Sequence, residues 1–189
     1  MNRFALAISL ALAAPSALAH AATKEDRPAL TVESALDEAE KQLDNGGNAA
    51  DIAGRLHHTR GLTKDEQRRL DLIDARCDLL TSSYAASEKI LARVHKTAPD
   101  DLRVSEWYAR ALDGNGKSET ALPIFKQLAS KDGLHDGDSY WALAQLEQKT
   151  EPKLALEHAK AALTHPIVLQ SDALDAEIHK FIADLSKSK

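Results

Sequence analysis

Arginines recur in this chain at a fixed interval. Arg69 and Arg103 are 34 residues apart, and so are Arg76 and Arg110. A guanidinium is a planar fork of donors that can hold a carboxylate through two parallel hydrogen bonds. Four of them on one surface would suit an acidic peptide or a free C-terminus. The same residues also invite self-pairing. Arg103, Glu106, Arg110 and Asp113 follow at spacings of three and four, which makes them neighbours on one helix face. Exposed pairs of that kind contribute only about 0–1 kcal/mol. Ligand capture and a solvated ion-pair ladder are the two readings of this pattern.

Other reactive side chains form no sequence-local constellation. The eight histidines are His20, His57, His58, His95, His135, His158, His165 and His179. None makes an i, i+4 pair on a helix, so a metal site would have to be assembled from distant segments; solvated or internally bonded histidines are the default. Cys77 lies at helical spacing from Ile73 and Leu80 and reads as a buried, inert thiol. As the only cysteine, it excludes an internal disulfide framework. There is no G-x-S-x-G elbow, no H-E-x-x-H and no phosphate loop. No catalytic residue, metal ligand or cofactor is assigned, and the chain does not read as an enzyme.

The elements that carry these residues follow from composition and pattern. The chain has 189 residues, with 33 Ala and 27 Leu against 4 Val and 8 Ile. Ala and Leu lose little freedom in a helix, whereas β-branched residues lose χ1 freedom there. A β-sandwich or a Val/Ile-rich parallel sheet is therefore disfavoured. Aromatics are 4%, so any core is built from small side chains. Lys plus Arg is 24 and Asp plus Glu is 29, a formal charge of −5. That balance argues against nucleic acid as the main partner, because phosphate contacts need clustered cations.

Residues 1–19 have the parts of a secretory signal: Arg3, an apolar run from Phe4 to Ala14, the breaker Pro15 and the Ala17-Leu18-Ala19 cleavage pattern. The run falls short of the roughly 20 apolar residues a membrane span needs. Cleavage after Ala19 fits best, and after Ala21 second. No Cys lies near the cut to carry a lipid. The signal resembles bacterial ones, which points to export, with the periplasm as first choice and secretion as second. No later stretch is apolar enough to span a membrane. Residues 20–30 read as a flexible leader.

From residue 31 onward, helical stripes alternate with short breakers. The pattern predicts helices over 31–44, 49–58, 63–80, 83–96, 102–112, 118–130, 138–148 and from Pro152 to before Pro166, with a last one over 171–185. Thr63 followed by Glu66 is a capping box. Ile73, Trp107 and Trp141 stand 34 apart; so do Ser87, Ala121 and Ala155; Leu91, Phe125 and Ala159; and Val94, Leu128 and Ala162. Two helices of about a dozen residues with two short turns fill such a period, and stacked pairs cover the face each leaves open.

These rows resemble tetratricopeptide (TPR) repeats. The stretch Gly116-Lys117-Ser118-Glu119-Thr120-Ala121-Leu122 with Phe125, the stretch Tyr84-Ala85-Ala86-Ser87 with Leu91 and Pro99, and Lys153-Leu154-Ala155-Leu156 with Ala159 and Ala162 look like the family's turn and second-helix signature. The resemblance spans repeats at about 68–101, 102–134 and 135–167, with a degenerate pair at 31–60 and a cap at 171–185. It implies an all-α, right-handed solenoid of antiparallel helix pairs over 31–185; an array of helical hairpins of another type is the alternative. Departures are Leu143 where a small residue is usual, Ser118 and Pro152 where the second helix usually has Tyr, the acids Asp71, Asp74 and Asp78 at packing positions, and Pro123 inside a helix.

The resemblance also implies that the first helix of each pair lines a concave groove that binds segments of partner proteins. In this register the groove candidates are Arg69, Leu72, Arg76 and Leu79, then Arg103, Glu106, Arg110 and Asp113. The expected function is that of an exported scaffold for protein–protein interaction or assembly. Its partner would be a protein segment, with an acidic peptide or C-terminus suited to the arginines. The alternative is a helical protein of the cell envelope that binds an anionic ligand or a metal. Trp107 and Trp141 read as packing residues, and either would be a good anchor if it faced the groove.

Overall fold

The computed structural model describes residues 31–166 and 171–187. The signal and leader segments, 1–19 and 20–30, lie outside the described residues. Among the described residues the chain forms helices and no strands: α1 (Val32–Asp44), α2 (Ala50–His57), α3 (Lys64–Leu80), α4 (Tyr84–Thr97), α5 (Leu102–Gly114), α6 (Ser118–Ala129), α7 (Gly137–Glu147), α8 (Pro152–Ala162) and α9 (Asp172–Lys187). Their ends fall within two residues of the positions the pattern predicts, save that α8 stops at Ala162, four residues ahead of Pro166.

Local chemistry sets these boundaries. Thr31 caps α1 through the N–H of Ser34. Thr63 and Glu66 form the expected capping box on α3. Asp101 caps α5 through the N–H of Val104. Proline opens α8, where its missing N–H costs nothing. Gly116, at φ +77°, turns the chain between α5 and α6. Gly114 meets a different demand, since an added Cβ would stand 2.4 Å from the Tyr84 ring that packs on the end of α5.

Every helix packs on the next one in the chain, and α1, α3, α5 and α7 also pack on one another in file. The rows seen at 34-residue spacing are rows of burial. Ser87, Ala121 and Ala155 are fully buried, as are Leu91, Phe125 and Ala159. The Ser87 hydroxyl is satisfied by the carbonyl of Ala75 on the facing helix, at 2.8 Å. A small side chain at this position lets the second helix of a pair close onto the first. Trp141 lies in the core and meets Phe181 of α9 edge-on at 5.0 Å. Trp107, its counterpart one period earlier, is only partly covered.

Ion pairs follow the same stacking. Arg69 to Asp37 and Arg76 to Asp44 each join residues 32 apart. Arg68 to Asp101 and Arg103 to Asp136 each join residues 33 apart. These offsets fall just short of one repeat, so each pair ties equivalent levels of successive helix pairs.

Pro123 does not break α6, which runs from Ser118 to Ala129 with the proline on its exposed side. The helix forgoes the bond that residue 123 would donate to the carbonyl of Glu119. Pro123→Ala restores that donor at a site where the backbone is already helical. The expected gain is about 2 kcal/mol, the interior penalty of proline less the entropy it removes from the unfolded chain. A urea melt that shows no gain would mean the ring relieves some other strain.

The acids at unusual positions on α3 have separate fates. Asp71 pairs with Arg93 at 2.6 Å, and Asp74 with His57 at 2.9 Å. Asp78 stands in the last turn, where no basic residue offsets the negative end of the helix. Burial, and then the charge of Asp74, push its carboxyl above the usual range. A folded pKa above the unfolded one means that stability is highest at low pH and falls as pH rises through the folded value. Asp78→Asn is therefore expected to raise the melting temperature at pH 7. It should leave it unchanged below the ordinary carboxyl range, a contrast that paired melts will show.

Candidate functional site

The odd-numbered helices build a groove. One lobe, of about 320 Å³, is lined by Leu43 and Asp44 of α1, Arg76, Leu79 and Leu80 of α3, and Arg103, Trp107 and Arg110 of α5. His135 and Asp136 before α7, with Pro166 after α8, complete it. A second lobe of about 260 Å³ adds Glu40, Leu72 and Ile73, and shares Asp44, Arg76, Arg103 and Trp107 with the first. The two are parts of one depression that crosses α1, α3 and α5.

Trp107 forms its aromatic floor. The Arg76 guanidinium lies 4.8 Å from the ring centroid and that of Arg103 lies at 5.2 Å. Contacts of this kind are worth about 0.5–2 kcal/mol, depending on how far water is excluded. They also hold two flexible side chains in fixed positions beside an apolar surface.

Each arginine has an acidic partner, and the partners differ. Arg69 bonds to Glu40 and Asp37 of α1, which hold its guanidinium firmly charged. Among the described residues Arg76 makes one hydrogen bond, 2.7 Å to Asp44, whose side chain is 63% exposed. Arg103 bonds to Asp136 at 3.1 Å and to Glu106 at 3.3 Å. Arg110 reaches Asp136 only at 3.6 Å and Asp138 at 3.8 Å, too far for hydrogen bonds. Arg76 and Arg110 are both largely covered, at 14% and 13% exposure, and both line the groove.

The eight candidates therefore separate. Arg76, Leu79, Arg103 and Arg110 line the larger lobe, and Leu72 lines the smaller one with Arg76 and Arg103. Arg69 stays with the acids of α1. Asp113 is spent on the turn, accepting the Ser118 hydroxyl at 2.7 Å. Glu106 is fully buried. Its Oε1 accepts the backbone N–H groups of His135 and Asp136 at 3.0 and 2.9 Å, while Oε2 faces Arg103 and His135 Nδ1. It is a staple that fixes the α6–α7 connection. The ladder of exposed pairs along one helix face is thus mostly replaced by pairs between helices.

Asp44, Asp136 and Pro166 were not legible as site residues. A signal for the acids was present: Asp44 lies 32 before Arg76, and Asp136 lies 33 after Arg103. Opposite charges one repeat apart are what stacking brings together. Pro166 gave no signal. It reaches the groove because its carbonyl accepts the Gly137 N–H at 2.7 Å.

The other reactive groups lie elsewhere. Cys77, expected to be buried, is only partly so; it packs against the core residues of α1, α2 and the start of α3, and burial pushes its thiol up. His158 bonds to the buried Glu147 at 2.7 Å, and His95 stacks on Tyr108 while its Nδ1 lies 3.2 Å from Ser105 Oγ. Among the described residues no three His, Cys, Asp or Glu side chains converge on a point that could hold a metal ion. Among them, too, no helix is long and apolar enough to cross a membrane. Comparison with protein-family models, with curated proteins and with solved structures gives no match to this chain.

Proposed function

We propose that this chain is an exported, divergent TPR-like scaffold whose α1–α3–α5 face takes up a segment of a partner protein. The right-handed solenoid and the periplasmic setting belong to the same proposal; they rest on the 34-residue rows and on the signal pattern. The observation that carries the reading is Trp107 on the floor of an open groove, with Arg76 and Arg103 over its ring and Arg110 beside it. Leu43, Leu80 and Pro166 give the apolar surface that buries a side chain, and the guanidiniums give the groups that orient a carboxylate. Trp and Arg are the residue types that dominate binding hot spots.

The partner segment that fits is apolar with an acidic side chain or a free C-terminus. Among the described residues Arg76 spends only one hydrogen bond, on an exposed acid, and Arg110 none, so both retain donors for a ligand. Asp44 and Asp136 compete for the same guanidiniums. The carboxylate therefore supplies selectivity, and Trp107 with its apolar neighbours supplies most of the affinity.

Display of random twelve-residue peptides on the purified protein tests this. Enriched peptides are expected to pair large apolar residues with Asp, Glu or a free carboxylate. Arg76→Gln together with Arg110→Gln should weaken their binding by at least about tenfold, the scale of a lost charge-assisted hydrogen bond, with the helical spectrum retained. Absence of enrichment would remove the groove reading. Enriched peptides indifferent to both substitutions would remove the arginines from it.

A further inference from the structure

The N-terminus of α7 lacks a side-chain cap bond, as does that of α4, whose N-cap Ser83 also makes none. The N-cap residue of α7 is Asp136, a type that normally accepts a backbone N–H from the first turn, yet its side chain makes no such bond. At α5, Asp101 does both jobs: one oxygen accepts the Val104 N–H at 3.1 Å and the other takes Arg68 at 3.1 Å. The Asp136 carboxylate is instead turned wholly into the groove, between Arg103 and Arg110, and is 8% exposed. Three residues on, the Ser139 hydroxyl is buried with no hydrogen-bond partner, the only such side-chain atom found among the described residues. At α1 the same N-cap-to-third-residue relation joins Thr31 Oγ1 to Ser34 Oγ at 3.0 Å. Side chains at these two positions can therefore reach each other.

We propose that Asp136 is an internal occupant of an anion subsite in the groove, with a second seat prepared for it at the start of α7. This rests on the groove reading above and adds how the site is regulated. In the free protein the carboxylate sits between Arg103 and Arg110. When a ligand carboxylate arrives there, Asp136 rotates about its side-chain torsions and accepts the Ser139 O–H. Its backbone stays in place, because Glu106 holds the N–H groups of His135 and Asp136 from below. One carboxylate replaces another at the arginines, so the subsite keeps its charge balance. The buried hydroxyl gains the partner it lacks, and leaving such a group unsatisfied is what folded proteins avoid.

The test uses the full protein and N-acetylglutamate as the probe, followed by NMR at the Arg103 and Arg110 Nε–H signals and at the Ser139 amide. In the wild-type protein all three should shift with one dissociation constant. Asp136→Asn, which keeps the shape and removes the competing charge, should bind the probe about tenfold more tightly; Asp136→Ala should do the same. Ser139→Ala, which never touches the groove, should bind about threefold more weakly, the scale of one lost neutral hydrogen bond. Weaker or unchanged binding in the Asp136 variants would show that this acid only positions the arginines, and would overturn the proposal. Unchanged binding in Ser139→Ala would overturn it too. If the wild-type protein ignores the probe, the proposal requires Asp136→Asn to bind it, and silence from both ends it. A failed peptide selection alongside these shifts would strike the protein-segment reading alone.

Discussion

Replacing Glu106 by alanine should cost about 4 kcal/mol of folding stability, within the range found when one partner of a buried charged network is removed. The carboxylate has no contact with solvent and serves three donors, the backbone N–H groups of His135 and Asp136 and the Arg103 guanidinium, with His135 Nδ1 3.4 Å away. Alanine strands two backbone donors and leaves Arg103 with Asp136 alone. Glu106→Gln retains an acceptor for the backbone but loses the charge facing Arg103. It should cost roughly half as much, since bonds to charged groups are worth about twice neutral ones. Chemical denaturation of the two variants gives the order. Equal losses would mean that the packing of the side chain, and not its charge, holds the α6–α7 connection. Because that connection carries Asp136, either variant should also disturb the groove.

Trp107→Ala should separate binding from folding. The ring is only partly covered, so its removal vacates groove surface more than core, and about 1–2 kcal/mol of stability is expected to go with the lost contacts. Peptides selected on the wild-type groove should lose about a hundredfold in affinity, the scale of a central aromatic anchor. Arg76 and Arg103 also lose the surface that holds them. Fluorescence anisotropy with a labelled peptide measures the loss. An affinity unchanged by Trp107→Ala would place the binding surface elsewhere. Trp141→Ala offers the contrast, since that ring packs in the core against Phe181 and its loss should fall on stability.

The two tryptophans also show where reading residues in order gives out. They hold the same place in the 34-residue row, and pattern alone assigned both to packing. α9 covers the level of the array that holds Trp141. At Trp107, on α5, the groove between α3 and α5 stays open. Position within a repeat determines the direction of a side chain, but the neighbouring elements decide whether it is buried. The arginines illustrate the same limit. Their spacing placed them on successive first helices, yet it favoured partners on the same helix face, such as Asp113 for Arg110. Arg110 lies instead near Asp136 and Asp138, and Asp113 holds a turn.

What the amino-acid order determined by itself is the local and the periodic: the helices, their caps and breakers, and the rows of small and apolar residues buried at each repeat. These depend on propensity and on contacts within a few residues or at a constant interval, so they are written in the chain. The tertiary structure alone decided which acid answers each arginine, that Glu106 is sealed beneath a connection, and that Asp136 faces the groove while Ser139 lacks a partner. Those outcomes turn on helix stagger, where 32 or 33 residues rather than 34 bring two charges together, and on angstrom-scale distances that no sequence interval encodes.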